Sequence, residues 1–206
     1  MNEKQIPDIV IGRLPVYLRA LQRMAQEGRQ VTSSQELGER LGISAAQIRK
    51  DLSQFGEFGK QGTGYNIEFL SGQLLEILKI EKVWDIALIG FGDMGRALAS
   101  YSGFNQRGFR IRMIFDSDPR KIGQEFGGHT IFSSADIKEK IQGAGVQIAM
   151  IAVPAEFAQE VTDNLVEAGI KSILNYAPVN LNVPPNVRVQ YIDPAVHLQR
   201  MTYYLD

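Results

Sequence analysis

Apolar side chains in the first third of the chain recur at steps of three and four. Ile9, Leu14, Tyr17, Leu18, Leu21 and Met24 trace one stripe, which predicts a helix over 8–27. Pro15 falls inside the stripe, so the helix is expected to start or kink there. "SSQELGERL" (33–41) predicts a short second helix, with Ser33 and Glu36 at capping-box spacing. "GIS" breaks it, and Ser44 offers the N-cap of a third helix, "AAQIRKDLSQF". The run "FGEFGKQGTGYNIEF" carries four glycines and ends in the alternation Tyr65, Ile67, Phe69, which reads as a hairpin. A helix over roughly 71–80 closes this block.

The texture changes near residue 80, across "EILKIEKVWD" (76–85). Beyond it, "WDIALIG", "FRIRMIFD", "HTIF", "VQIAMIAVP", "KSILNYAP" and "NVRVQYID" read as strands. Helices are expected between several of them, at 93–101, 134–142 and 155–168. Strands alternating with helices predict an α/β architecture with a parallel sheet covered on both faces. The last segment, "DPAVHLQRMTYYLD", reads as one final helix. The expected domains are 1–80, 81–192 and the helix 193–206.

Composition narrows the class. A hydrophobic fraction of 44%, a charged fraction of 22% and a net charge of −1 are ordinary for a globular chain and exclude a bulk polycation. With no cysteine there is no disulfide, thiolate metal site or thiol catalysis. The N-terminal "MNEKQIPDIVIGRL" does not read as a signal peptide. The longest apolar run, "VQIAMIAVPA", is far below the ~20 residues of a membrane span. A cytoplasmic protein, without metal or membrane partner, is the expectation.

Gly90, Gly92 and Gly95 have the G-x-G-x-x-G spacing, directly after a strand and opening a helix. Gly90 permits the tight turn, Gly92 lacks the Cβ that would meet a pyrophosphate, and Gly95 lets helix pack on strand. The helix N-terminus then offers free N–H groups to phosphate. Asp116 ends the next strand, 21 residues after Gly95, where an acid can accept from the adenosine ribose and repel a 2′-phosphate. That favours NAD, although Arg120 and Lys121 keep NADP open. "AVPA" (152–155) and "NYAP" (175–178) fall at later strand ends and suit a nicotinamide pocket, with Asn175 a candidate for the carboxamide. The candidate nucleotide contacts are Gly90, Phe91, Gly92, Asp93, Met94, Gly95, Tyr101, Asp116, Ser117, Asp118, Lys121, Val153, Pro154, Asn175, Ala177 and Pro178. The alternative is that the glycines only tighten a βα turn.

"SSQELGERLGISAAQIRKDLSQFG" has the form of a helix-turn-helix. Leu37, Leu41, Ile43, Ile48 and Leu52 supply a buried face, and Leu41-Gly42-Ile43 supplies the turn. The third helix would show Ser44, Ala45, Gln47, Arg49, Lys50 and Ser53 outward. Gln reads adenine, and Arg reads guanine or holds phosphate. The glycine-rich hairpin, with Lys60 and Gly62, would be a wing. Residues 1–80 hold ten Lys/Arg against nine Asp/Glu, so basic charge must be segregated by face, with Arg13, Arg19, Arg49, Lys50 and Lys60 on one side. A helical protein-interaction module is the alternative.

Taken together, "IRKDLSQFGEFGKQGTGYN", "GFGDMG", "FDSDPRKIG", "VPAEFAQEVTDNLVEAGIKSILNYAPV" and "IDPAVHLQRMTYYL" resemble the Rex family of bacterial redox-sensing transcriptional repressors over nearly the whole length. The resemblance implies a winged helix-turn-helix domain, a Rossmann-like domain binding NADH or NAD+, and a C-terminal helix exchanged between the subunits of a homodimer. It implies binding to a palindromic operator when NADH is scarce and release when NADH rises. By resemblance Arg13, Tyr101 and Asp193 are candidate switch residues, with an Arg–Asp bridge made in one state and broken in the other. The spread of Val196, Leu198, Met201, Tyr204 and Leu205 around the last helix fits burial on more than one side.

Two rivals stand beside this reading. A small NAD-dependent dehydrogenase would need a general acid beside the nicotinamide. Of the two histidines, His129 reads as a loop residue and His197 as a packed one. A nucleotide- or CoA-binding subunit would share the strand-turn-helix but leave the N-terminal block unexplained.

Overall fold

The computed structural model describes residues 6–60 and 63–205, and its contacts divide the chain into Met1–Lys82 and Val83–Asp206. In the first unit, α1 (Asp8–Gln26) runs unbroken through Pro15. Ile11, whose carbonyl loses its donor to the proline, is exposed, so water can replace the missing N–H. The buried side of α1 is Val10, Leu14, Tyr17, Leu18, Leu21 and Met24, whereas Ile9 is exposed.

After β1 (Val31–Thr32), Ser33 caps α2 (Ser34–Leu41) by accepting from the Glu36 N–H at 3.0 Å. The reciprocal half of the capping box is not made. The Glu36 carboxylate instead accepts from the Thr32 hydroxyl and from Arg29. Gly42, at φ +67°, closes α2 in the left-handed conformation, and Ser44 caps α3 (Ala45–Leu52) through the Gln47 N–H. The turn folds back on α2 so closely that a Cβ on Gly38 would collide with the Ile43 carbonyl oxygen.

The hairpin is shorter than its alternation suggests. β2 (Gly59–Lys60) pairs antiparallel with β3 (Gly64–Asn66), which also pairs with β1. Asn66 then caps α4 (Ile67–Ile77), accepting from the Phe69 N–H at 2.8 Å. The cap turns the chain from period two to a helical period. Ile67, Leu70 and Leu74 go into the core and Phe69 faces solvent. Leu14, Tyr17, Leu21, Leu37, Ile48, Leu52, Phe58 and the buried side of α4 form that single core.

The second unit begins with β4 (Trp84–Ile89), α5 (Asp93–Ser100), β5 (Phe109–Asp116), β6 (Glu125–Phe126), β7 (His129–Ser133) and α6 (Ile137–Ala144). It continues with β8 (Ile148–Ile151), α7 (Ala155–Glu167), β9 (Ser172–Asn175), β10 (Arg188–Tyr191) and α8 (Pro194–Thr202). The sheet order is β10-β9-β8-β4-β5-β7-β6, parallel except for β6 against β7. After β4 the chain winds one way and after β8 the other, the doubly wound order whose switch point lies between those two strands. Ala87 and Ile89 pack on one face with residues of α6 and α7, while Ile86 and Leu88 pack on the other with Leu98 of α5. Both faces are therefore covered, which is why the strands read as apolar runs. The two-residue β6 lies below the reach of a period argument. It is joined to β7 through Gly127 and Gly128, both at positive φ, as a tight primed turn requires.

α8 buries nothing. Val196, Leu198, Met201, Tyr203, Tyr204 and Leu205 are 57–84% exposed, and His197, expected to pack, is exposed as well.

The close approach at Gly38 gives a paired test. Gly38→Ala should lower stability in a urea titration by about 1–3 kcal/mol. Gly72→Ala, in the interior of α4 with nothing within 4 Å of the added Cβ, should raise it by about 0.5–1 kcal/mol.

Candidate functional site

The carboxyl ends of β4, β5, β8 and β9 bring the glycine turn, Asp116, Ala152–Ala155 and Asn175–Pro178 to one edge of the sheet. Gly90 sits at φ +95°, and an added Cβ would lie 2.5 Å from the Ala152 carbonyl oxygen. A Cβ on Gly95 would strike the Gly90 carbonyl oxygen. These two glycines are therefore required by the fold itself. Gly92 is different: a Cβ there meets nothing within 4 Å. It is also the N-cap of α5 and provides no side-chain acceptor, so the first-turn N–H groups stay available to an anion. The turn thus fits a pyrophosphate, with bare backbone facing open space at a helix N-terminus.

Asp93, Met94 and Ser117 lie exposed around the turn, and Asp118 and Lys121 are half-buried beside it. The Phe91 side chain is not at the surface. It is 3% exposed and packs edge-on against Phe126 at 4.9 Å, with the Arg96 guanidinium over its ring. Its contribution to the site is its N–H, donated to Asp116 at 2.7 Å.

Asp116 is likewise turned inward. Besides the Phe91 N–H, its carboxylate accepts from the Asp118 N–H at 2.8 Å and from Lys121 Nζ at 3.0 Å. Burial alone would raise its pKa. The two backbone bonds and Lys121 outweigh that and hold it below the usual carboxylate range. Its first task is thus to tie the glycine turn to the end of β5. In this conformer Lys121 balances the charge that the sequence reading set against a 2′-phosphate. Asp118 is held by Arg120 and pushed down to about 2.

Asn175, proposed for the carboxamide, spends its amide on its own loop. Nδ2 donates to the Ala177 and Val179 carbonyls, both at 3.0 Å, and Oδ1 accepts from the Ala177 N–H at 2.9 Å. It shapes the wall that carries Ala177, which is buried, and Pro178, which is exposed. Val153, half-buried, and Pro154, the exposed N-cap of α7, continue that wall. Tyr101, 52% exposed, closes α5. Its hydroxyl accepts from Arg107 at 3.2 Å and its ring stands edge-on to Phe104. Asp193 caps α8 by accepting from the Ala195 N–H at 2.9 Å.

In the N-terminal unit the outward face of α3 is smaller than expected. Ser44, Arg49, Lys50 and Ser53 are exposed, while Ala45 and Gln47 are half-buried. Ser44 is committed as a cap, Arg49 donates to the Ser34 hydroxyl at 2.9 Å, and Ser53 donates to the Lys50 carbonyl. Lys60 lies in β2, and Gly62 lies outside the described residues.

Sequence reasoning missed the unit's main polar cluster. Asp51 is 0% exposed, yet it accepts from Arg13 Nε at 2.6 Å, Arg13 Nη2 at 2.8 Å, Tyr17 Oη at 2.6 Å and Gln47 Nε2 at 2.7 Å. Arg13 is therefore not a free surface charge but part of a two-pronged ion pair between α1 and α3. Position 51 lies three residues after buried Ile48 and beside buried Leu52, so its place on the inner stripe was legible. Its partners, on α1, were not. Burial raises the Asp51 pKa, but the bonds from Arg13, Tyr17 and Gln47 outweigh it and the carboxyl ends below its usual range. Tyr17 is raised, by burial first and then by its bond to Asp51.

Among the described residues no three His, Cys, Asp or Glu side chains gather as a metal site, and no helix is long and apolar enough to cross a membrane.

The depressed carboxyls set a pH dependence. Stability contributed by Asp51 and Asp116 is complete above the unfolded aspartate pKa of about 3.9 and is lost as pH falls through their lower folded values. Melting temperature should therefore drop on the acid side of about pH 4. Asp51→Asn should flatten that decline and lower stability at pH 7 by about 3–5 kcal/mol, since Arg13 loses its buried partner.

Comparison with known proteins agrees with both halves. Residues 81–179 match the model of the CoA binding domain, and residues 5–53 match that of a putative DNA-binding protein N-terminus. Redox-sensing transcriptional repressor Rex of Roseiflexus sp. is 53% identical over 97% of this chain and 90% of its own. Rex 1 of Thermotoga maritima is 48% identical over 98% and 97%. The crystal structure of RSP in complex with β-NAD+ and operator DNA superimposes with a TM-score of 0.93, at 36% identity over 98% of this chain and 93% of that one. RSP with β-NADH gives 0.89 at 34% identity, over 97% and 94%. With relatives this similar along almost the entire length, the chain belongs to the Rex family of redox-sensing transcriptional repressors.

Proposed function

We propose that this chain represses transcription as a homodimer on a palindromic operator and leaves it when NADH binds. It is a regulator rather than an enzyme. The observation that carries the reading is the pairing, in one chain, of a helix-turn-helix with a wing and a doubly wound sheet whose switch point presents bare backbone at Gly92. The CoA-binding alternative draws support from the description of the C-terminal domain model alone. The dehydrogenase alternative needs a general acid beside the nicotinamide, and Asp116 and Asp118, at the end of β5, are both ion-paired. We place the protein in the cytoplasm, where operator and nucleotide pool meet.

Nucleotide contacts are assigned to the backbone of Gly90–Gly95, to Asp93, Met94, Ser117, Asp118 and Lys121 beside it, and to the wall of Val153, Pro154, Ala177 and Pro178. Asp116 and Asn175 act by shaping that surface. The nucleotide supplies a charge difference: its ring is cationic when oxidised and neutral when reduced. A wall of Ala152, Val153, Pro154, Ala177 and Pro178 offers no counter-charge, so it desolvates a cation at a cost and favours the reduced form. Release of DNA further requires that the reduced form prefer a dimer in which the two α3 helices no longer match grooves about 34–36 Å apart. Moving such an equilibrium from 1:99 to 99:1 takes about 5.5 kcal/mol of differential binding, shared over two sites.

The exposed apolar face of α8 supports exchange of that helix with a second copy. Arg13, Tyr101 and Asp193 remain the proposed switch. Asp51 holds Arg13 in this conformer, so an Arg13–Asp193 bridge must compete with a two-pronged pair.

Arg49→Ala should weaken DNA binding about tenfold while leaving NADH fluorescence titrations unchanged, as expected for one lost base or phosphate contact. Gly92→Val should do the reverse, abolishing the response to NADH while operator binding persists in a gel-shift assay. Loss of both activities in each variant would contradict the division of labour.

A further inference from the structure

We propose that Asp51 is a positioning residue that fixes the carboxamide of Gln47, so that the acceptor–donor edge of Gln47 reads an adenine in the major groove. This rests on the DNA-binding reading above. Gln47 is the third residue of α3, in the part of a recognition helix that meets base edges. A glutamine reads adenine only if Oε1 accepts from N6 while an adjacent N–H donates to N7. A free carboxamide rotates, presenting its oxygen and its nitrogen to the groove in turn, and pays in ordering on every binding event.

Here the orientation is imposed chemically. An ionised carboxylate only accepts, so Asp51 must receive a Gln47 N–H and cannot face Oε1. Asp51 cannot rotate to accommodate the other flip, because Arg13 grips both of its oxygens. With the N–H anti to Oε1 assigned to Asp51, the syn N–H is left beside Oε1, which accepts no hydrogen bond among the described residues. That remaining pair is the adenine-reading edge. Ser44 and Arg49, the other polar groups at this end of α3, are tied to the Gln47 N–H and the Ser34 hydroxyl.

The test is selection of binding sites from a random duplex library by the full-length protein without NADH. Wild type, Gln47→Met, Asp51→Asn and Tyr17→Phe are compared. Wild type should prefer adenine at one position per half-site by about tenfold or more, the range of a good bidentate contact. Gln47→Met and Asp51→Asn should both lose that preference at the same position and keep the others. An asparagine at 51 can donate to Oε1 and so releases the flip. Tyr17→Phe, which leaves the Gln47 bond in place, should keep the full preference. If Asp51→Asn lowers affinity but preserves the adenine preference that Gln47→Met loses, Asp51 is merely structural and the proposal falls. If wild type enriches no duplex, the proposal and the DNA-binding reading fall together.

If Asp51→Asn does not fold, side-chain amide NMR of the wild type decides. One Gln47 Nε2 proton should exchange with solvent measurably more slowly than either proton on exposed Gln54. Equal exchange at the two residues overturns the proposal.

Discussion

The approach of the Gly90 backbone to Ala152, at the point where the sheet reverses its winding, is the constraint on which the C-terminal unit depends. No side chain fits at Gly90, where a Cβ would lie 2.5 Å from a carbonyl oxygen, nor at Gly95, where it would collide with Gly90. The turn so formed is pinned on its other side by the Asp116 carboxylate. Packing fixes these two glycines but not Gly92, where the open α5 N-terminus fits the proposed phosphate. Fold and proposed ligand thus account for different glycines of one motif.

The N-terminal unit rests on an analogous polar constraint. Asp51 joins α1 to α3 and also holds Gln47, the residue proposed to read a base. A buried pair of this kind adds little net stability, but it is costly to break on one side only. It therefore acts more as a setting for the orientation of α3 than as glue. The near-neutral balance of this unit is consistent with that economy: several arginines, including Arg13, Arg29 and Arg40, are paired within it.

Much of this was legible from the chain. The stripe from Leu14 to Met24, the caps at Ser33 and Ser44, and the alternation of strands with helices beyond residue 84 each follow from local chemistry. What could not be read were the particular partners that polar side chains take. Asp116 has the spacing of a ribose acceptor, and the same spacing also places it under the Phe91 N–H. Asn175 was a candidate for the carboxamide, and its bonds to Ala177 and Val179 run through backbone that sequence does not display. The strand expected through Phe69 failed because one capping side chain, Asn66, outweighs two further residues of alternation. The surface of α8 was read as needing burial on several sides, and within one chain it has none.

Under the proposed function, nucleotide and operator compete through one conformational equilibrium. Linkage then demands reciprocity: operator DNA must weaken NADH binding by the same factor by which NADH weakens operator binding. The direct measurement is the NADH dissociation constant, read by its fluorescence, with and without saturating operator duplex, beside the operator dissociation constant with and without saturating NADH. Equal factors well above one are the expected result. An NADH affinity unchanged by saturating operator would contradict the account.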